Sequence, residues 1–126
     1  MARILVVEDS ADNMKLCSAV LTFKGHQIIG LSSGDGLIET IRASEPELVL
    51  MDIQLPEKDG FALLQEIRAS PFASLRVLAL TAHAMAGDRE KALEAGFDGY
   101  ITKPLDIRNF PAQVERALAG ERVTDD

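Results

Sequence analysis

The sequence has a single cysteine, Cys17, so no internal disulfide can staple it. A lone thiol suits a reducing compartment, and a cytoplasmic location is the expectation. Tryptophan is absent and aromatics make up only 5% of residues. The two histidines, His26 and His83, show no metal-ligand spacing, which disfavours a zinc site. No apolar run approaches the roughly 20 residues needed to cross a bilayer. Met1-Ala2-Arg3-Ile4 enters a strand pattern at once, which leaves no room for a signal peptide. Basic residues are also scarce: 13 Lys+Arg face 20 Asp+Glu, a net charge of −7. That balance argues against a nucleic-acid surface, which is normally basic. It suits a cation site, although most acidic surfaces serve only solubility. No G-x-x-x-x-G-K-[ST] motif is present, so nucleotide hydrolysis is disfavoured. Gly34-Asp35-Gly36 follows a strand and opens a helix, but it lacks the third glycine of a dinucleotide fingerprint and reads as an ordinary loop.

What is present is a regular alternation. With 126 residues, 47% of them hydrophobic, the chain fits one domain with an ordinary core. Short apolar runs at 3–7, 27–31, 47–51, 76–80 and 99–102 read as strands. Segments of helical period lie between and after them, at 12–24, 34–43, 61–69, 84–95 and 106–119. On the first helix, Met14, Cys17, Val20, Leu21 and Phe23 form the apolar set; on the last, Ile107, Phe110, Val114 and Leu118 do. Gly96 sits where a left-handed helix cap belongs. Pro111 falls four residues into the last helix, so a loose first turn is expected before regular helix begins near it. Strand–helix repeated five times implies a parallel sheet covered on both faces, an α/β doubly wound fold. The strand order 2-1-3-4-5 suits five units better than an eight-unit barrel. One folded unit is expected over residues 1–120, with 121–126 a frayed polar tail and no further domain. His26 is expected in an exposed turn, and Cys17 in the core.

In such a sheet, ligands bind beyond the carboxyl ends of the strands. Those ends carry Glu8 and Asp9 after the first strand, Asp52 at the third, Thr81 at the fourth and Lys103 after the fifth. Three clustered carboxylates repel one another, and a divalent cation relieves that. Mg²⁺ needs only one or two carboxylates plus waters and a phosphate oxygen. Asp9 and Asp52 are the direct ligand candidates, Glu8 acts through water, and a backbone carbonyl near Gln54 completes the set. An aspartate can accept a phosphoryl group. Such a transfer depends on positioning and charge stabilisation, which Lys103, Thr81 and the metal would supply at the phosphoryl oxygens. In isolation each residue has a plainer reading: Asp52 a loop acid, Thr81 a strand end, Lys103 a solvated lysine, Tyr100 a half-buried strand aromatic. Their convergence on one rim favours function.

The residues that converge also resemble a known family, the receiver domains of two-component response regulators, CheY-like in fold. The matching segments are V-V-E-D-S at Val6–Ser10, L-M-D-I-Q-L-P at Leu50–Pro56 with Gly60 after it, A-L-T-A-H-A at Ala79–Ala84, and Y-I-T-K-P-L at Tyr100–Leu105. Asn13-Met14-Lys15-Leu16 is similar to the DivK-type single-domain regulators and to receivers of hybrid histidine kinases. The resemblance implies that Asp52 is the phosphoacceptor and that Glu8, in place of the commoner Asp, pairs with Asp9 to hold Mg²⁺. It implies that Thr81 and Tyr100 switch together, that Lys103 contacts the phosphate, and that Lys103–Pro104 is cis. Gln54 and His83 occupy the positions that tune dephosphorylation. The implied partners are a histidine kinase or histidine phosphotransfer protein, a downstream protein meeting residues 84–119, and a second copy of the chain; no nucleic acid or membrane is implied. The implied role is a phospho-acceptor switch rather than an enzyme.

Two other classes share some of these residues. A small-molecule phosphohydrolase with an aspartate nucleophile usually carries a second acid two positions later, where this chain has Gln54, and it needs a cap domain. A flavin carrier needs a hydroxyl- and Gly-rich phosphate loop after strand one, where Glu8-Asp9 would repel phosphate.

Overall fold

In the computed structural model, residues 2–55, 59–82 and 86–123 are described, without side chains for 86–88. The elements run β1 (Arg3–Val7), α1 (Ala11–Phe23), β2 (Gln27–Leu31), α2 (Leu37–Ser44), β3 (Leu48–Asp52), α3 (Gly60–Arg68), β4 (Arg76–Thr81), α4 (Ala86–Ala95), β5 (Gly99–Thr102) and α5 (Phe110–Leu118). Five parallel strands stand in the order β2-β1-β3-β4-β5. The doubly wound α/β expectation therefore holds, including the switch of direction between β1 and β3.

Alternation along each strand divides the core. Ile4, Val6, Leu48, Leu50, Leu78, Leu80 and Ile101 face α1 and α5, where Cys17, Leu21, Phe110, Val114 and Ala117 meet them. Leu5, Val7, Val49, Met51, Val77, Ala79 and Tyr100 face α2, α3 and α4. Strands buried on both faces explain why their sequences are near-continuous apolar runs rather than alternating ones. Burying a Leu- or Phe-sized side chain is worth about 1.5–3 kcal/mol, so these two layers carry most of the driving force.

The local signals behave as their chemistry requires. Ser10 caps α1 by accepting the Asn13 N–H, and Asp59 caps α3 by accepting that of Ala62. Gly96, at φ 111°, ends α4 in the left-handed region. Residues 107–109 form a turn, with the N–H groups of Asn109 and Phe110 both donating to the Asp106 carbonyl. Pro111 then occupies the first helical turn, where its missing N–H costs nothing. α2 starts at Leu37 rather than Gly34, because Gly36 sits at φ 72° and breaks the helical path.

Four expectations are corrected. Ile107 is 59% exposed, since it belongs to the turn before α5 and so leaves the stripe of Phe110 and Val114. Phe23, the last residue of α1, is 86% exposed. His26 is not in an exposed turn. It is 6% exposed, its Nδ1 accepts the Ala2 N–H, and its Nε2 lies 2.6 Å from Glu115 Oε1. The tail is not frayed as far as Val123, which is 1% exposed and forms a parallel bridge with Gly99.

Candidate functional site

The site is built from strand ends. β1 stops at Val7, and the Glu8 N–H donates to the Leu31 carbonyl of β2. The chain then turns at Asp9 and Ser10 into α1, with the Ser10 N–H held by Glu8 Oε2 at 3.1 Å. Glu8 is therefore fixed by its own loop and aimed across the top of the sheet. β3 presents Asp52, 4% exposed, paired in register with Leu80 of β4. β4 ends at Thr81, opposite Thr102 of β5, and the Thr81 carbonyl accepts the Lys103 N–H. That backbone bond carries Lys103 to the same rim, just before the cis Lys103–Pro104 peptide.

Side chains from three strand ends meet there. Lys103 Nζ lies 2.9 Å from Asp52 Oδ2 and 2.7 Å from Glu8 Oε1. Asp52 Oδ1 accepts the Gln54 N–H at 2.9 Å, which anchors the acid from the opposite side. Glu8, Asp9 and Asp52 each offer an oxygen within 4.8 Å of the others. Of the three acids, Glu8 and Asp52 are buried and Asp9 is exposed, so the cluster opens to solvent on the Asp9 side.

The charges are arranged unequally. Burial works to push both inner acids up, but the outcome differs. Glu8 stays above the ordinary carboxylate range, because burial and the neighbouring Asp52 outweigh the Lys103 ammonium and the Ser10 N–H. Asp52 ends below its ordinary value, because the Gln54 N–H and Lys103 overcome its burial. Lys103 is held above its ordinary value: burial alone would lower it, but two carboxylates favour the ammonium. Asp52 is thus the acid kept ionised, the form a nucleophile requires.

The donor set also fits a hard divalent cation. Three carboxylate oxygens within mutual reach, facing one ammonium, leave a net negative pocket of oxygen ligands only. Among the described residues no thiolate or imidazole joins the cluster, and Cys17 is buried in the core layer beneath α1 and α5.

Most of the residues expected from the sequence are brought together: Glu8, Asp9, Asp52 and Lys103 in direct reach, Thr81 at the adjoining strand end, and the Gln54 backbone on Asp52. Tyr100 is fully buried rather than half-buried. It packs on the α4 side with the Arg89 guanidinium 5.4 Å over its ring. His83 and Pro56 lie outside the described residues. Two residues of the matching segments turn out to be structural supports, a role their sequence does not assign. One is Ser10, whose backbone fixes Glu8 while its hydroxyl caps α1. The other is Gly60: a Cβ there would sit 2.7 Å from Ile53 Cα and 2.9 Å from the Asp52 carbonyl, so α3 can lie against the Asp52 loop only without a side chain. The glycine stood in plain view, but only a close backbone approach explains it.

A model of the response regulator receiver domain family matches residues 4–115. The polar-differentiation response regulator DivK of Brucella ovis is 35% identical over 116 residues, 91% of this chain and 94% of that protein. The sensor protein GacS of Pseudomonas syringae pv. syringae is 36% identical over 122 residues, but the chain spans only 13% of its length. A crystal structure of a response regulator from Chloroflexus aurantiacus superposes with a TM-score of 0.87 at 27% identity, covering 94% of this chain and 98% of that one. No described helix is long and apolar enough to cross a membrane.

Proposed function

We propose, for a chain that belongs to the response regulator receiver domain family, that Asp52 accepts a phosphoryl group and that the product acts as a signalling switch rather than a turnover enzyme. The donor is a phosphohistidine on a histidine kinase or histidine phosphotransfer protein. An Asp52 carboxylate oxygen attacks phosphorus, the P–N bond breaks, and its electron pair returns to the donor imidazole. The observation that carries this reading is Lys103 Nζ at 2.9 Å from Asp52 Oδ2, beside the Glu8–Asp9 acid pair.

Each residue then has work that its chemistry suits. Asp9, Asp52, Glu8 through water and the Gln54 carbonyl are the groups that would hold Mg²⁺. Bound Mg²⁺ would supply positive charge to the phosphoryl oxygens. Lys103 exchanges its Asp52 partner for a phosphoryl oxygen, and the Thr81 hydroxyl takes another. Thr81 and Tyr100 act as the paired switch, biasing a two-state equilibrium. The readout surface is about 84–119, through which a downstream protein or a second copy docks; its first two residues lie outside the described ones. Gln54 and His83 set access to the phosphoryl group and hence its lifetime. The match to nearly the whole of the response regulator DivK supports a regulator's role; we place it in the cytoplasm, and the acidic net charge of −7 leaves no part for nucleic acid.

Incubation with acetyl phosphate and Mg²⁺, read by intact mass, tests this. One phosphoryl group should add, and Asp52→Asn or chelation should abolish the gain. Labelling that persists in Asp52→Asn moves the acceptor elsewhere, and sustained hydrolysis of small phosphate esters would favour a phosphohydrolase.

A further inference from the structure

α4 carries an arginine where its period calls for an apolar residue. Arg89 and Ala92 lie three positions apart, so they share one face of the helix. That face is turned to the sheet: Ala92 is buried in the layer that also holds Tyr100, and Leu93 and Ala95 pack against the same layer. One turn earlier, the described contact with the sheet is a charge. The Arg89 guanidinium carbon stands over the Tyr100 ring, 5.4 Å from its centre. The ring is only 2% exposed, although β5 is the last strand in the sheet order. Its register partner on β4 is Ala79, whose small side chain leaves room for the ring on that face. The C-terminal end of α4 is held differently. Gln65 Nε2 donates to the Ala95 carbonyl at 3.1 Å, and Arg68 Nη2 donates to the Gly96 carbonyl at 2.9 Å and to Asp98 Oδ2 at 3.1 Å. Thus α3 fastens one end of the helix, and Arg89 fastens the turn before it to β5.

We propose that Arg89 is a positioning residue for Tyr100: its guanidinium, stacked on the ring, holds the phenol buried and ties β5 to α4 before any phosphoryl group is present. The face of an aromatic ring is negative. A guanidinium is planar and weakly hydrated, so it can lie on a ring in a half-buried place, where an ammonium keeps its water. A contact of this kind favours the covered ring by a factor of roughly 2 to 30. Its importance for signalling rests on the function proposed above, in which Tyr100 and Thr81 act together. On that reading, Arg89 sets the resting balance between the two states, and phosphorylation moves only the balance that remains.

Tyr100 is the sole tyrosine and the chain has no tryptophan, so tyrosine emission reports this ring alone. In the full chain without phosphate donor, acrylamide should quench that emission at least about twofold more strongly in Arg89→Met, which keeps an apolar stem but no charge. Arg89→Lys keeps the charge without the planar fork and should fall between the two. Lys91→Met removes another cation of α4, whose Nζ lies 5.4 Å over the Phe61 ring, and should leave the quenching as in the wild type. Quenching in Arg89→Met equal to the wild type would show that packing alone holds the ring, and would overturn the proposal. An equal rise in Lys91→Met would also overturn it, since α4 would then be loosened as a whole. Arg89→Gln carries the same comparison should the methionine variant fail to fold. After acetyl phosphate and Mg²⁺, the quenching should change less in the wild type than in Arg89→Met, because the stack has already set most of the balance. A larger change in the wild type would overturn the bias assigned to Arg89. A wild type that gains no phosphoryl group by intact mass counts against the proposed function alone, because the first comparison is made without it.

Discussion

Lys103→Ala should be the most destabilising single change at the site, and its size can be worked from the geometry. Lys103 touches Asp52 Oδ2 at 2.9 Å and Glu8 Oε1 at 2.7 Å, with side-chain exposures of 15%, 5% and 0%. At an effective dielectric constant of about 20, each contact is worth roughly 5–6 kcal/mol of gross attraction. Most of that is offset by the several kcal/mol spent desolvating each ion. Removing the ammonium leaves two buried carboxylates facing each other, and breaking such a pair from one side costs about 3–5 kcal/mol. Protonation of one acid caps the loss, so about 3 kcal/mol is the expectation at pH 7. With about 2.1 cal/mol/K of unfolding entropy per residue, a chain of 126 residues gives a fall in Tm of about 11 °C. Urea and thermal unfolding would measure it. In an Asp52→Asn background the same change should cost at least about 2 kcal/mol less, because the stranded repulsion is gone. Millimolar Mg²⁺ should recover much of the loss in Lys103→Ala by supplying the missing positive charge. A loss below about 1 kcal/mol, or an equal loss in both backgrounds, would refute the reading of Lys103 as the counterion of a strained acid pair.

Glu8→Gln should stabilise the metal-free protein at neutral pH. Glu8 is raised in the folded state, so its favourable contribution is complete below its ordinary value of 4.5 and is lost as pH rises through the raised value. The advantage of Gln should therefore vanish in unfolding titrations carried below that ordinary value; an advantage independent of pH would break the argument. Gly60→Ala should cost about 1–3 kcal/mol, the usual range for forcing extra volume into close packing, because its methyl group meets the backbone of Ile53 and Asp52. Denaturant midpoints within experimental error of wild type would mean that α3 shifts freely. Cys17, fully buried and pushed up to about 12 chiefly by that burial, should not react with a thiol-disulfide reagent at pH 8 until the chain is unfolded. Stoichiometric labelling of the native protein would contradict its place under α1.

The fold was legible because both kinds of element carry their own period. Runs such as Leu48–Met51 are apolar at every position, which only a strand covered on both faces requires. The site was legible for the same reason, since each charged residue stands at the end of such a run. What escaped was set by tertiary geometry. His26 is polar and lies next to Gly25, a turn signal, yet Glu115, 89 positions later, supplies the partner that lets it be buried. Ile107 matches the apolar stripe of α5 by spacing, but the Asp106 turn shifts the start of the helix and points it outward. Val123 is a lone apolar residue in a polar tail, and nothing local says that Gly99 leaves room for it. Phe23 is placed with the apolar set of α1 by spacing, yet as the last residue of that helix it is 86% exposed.

The electrostatic state of the rim joins these observations. Three acids and one amine do not balance, and the mismatch falls on Glu8, which is raised, rather than on Asp52, which is lowered. Each acid accepts one backbone N–H, Ser10's on Glu8 and Gln54's on Asp52, so burial divides them: it outweighs the stabilising contacts on Glu8, while the contacts outweigh it on Asp52. A phosphoryl group on Asp52 would replace a single negative charge with about two. It would also draw Lys103 toward its oxygens and away from Glu8, leaving Glu8 and Asp9 to face the added charge. Under the proposed function, that state is tolerable only with a divalent cation between them. Metal affinity and phosphorylation should therefore rise together, as linkage requires of two ligands that favour the same arrangement. If the dissociation constant of Mg²⁺, measured by calorimetry, is the same before and after phosphorylation, the acids are not the metal's seat, and the phosphoryl charge must be balanced by Lys103 and Thr81 alone.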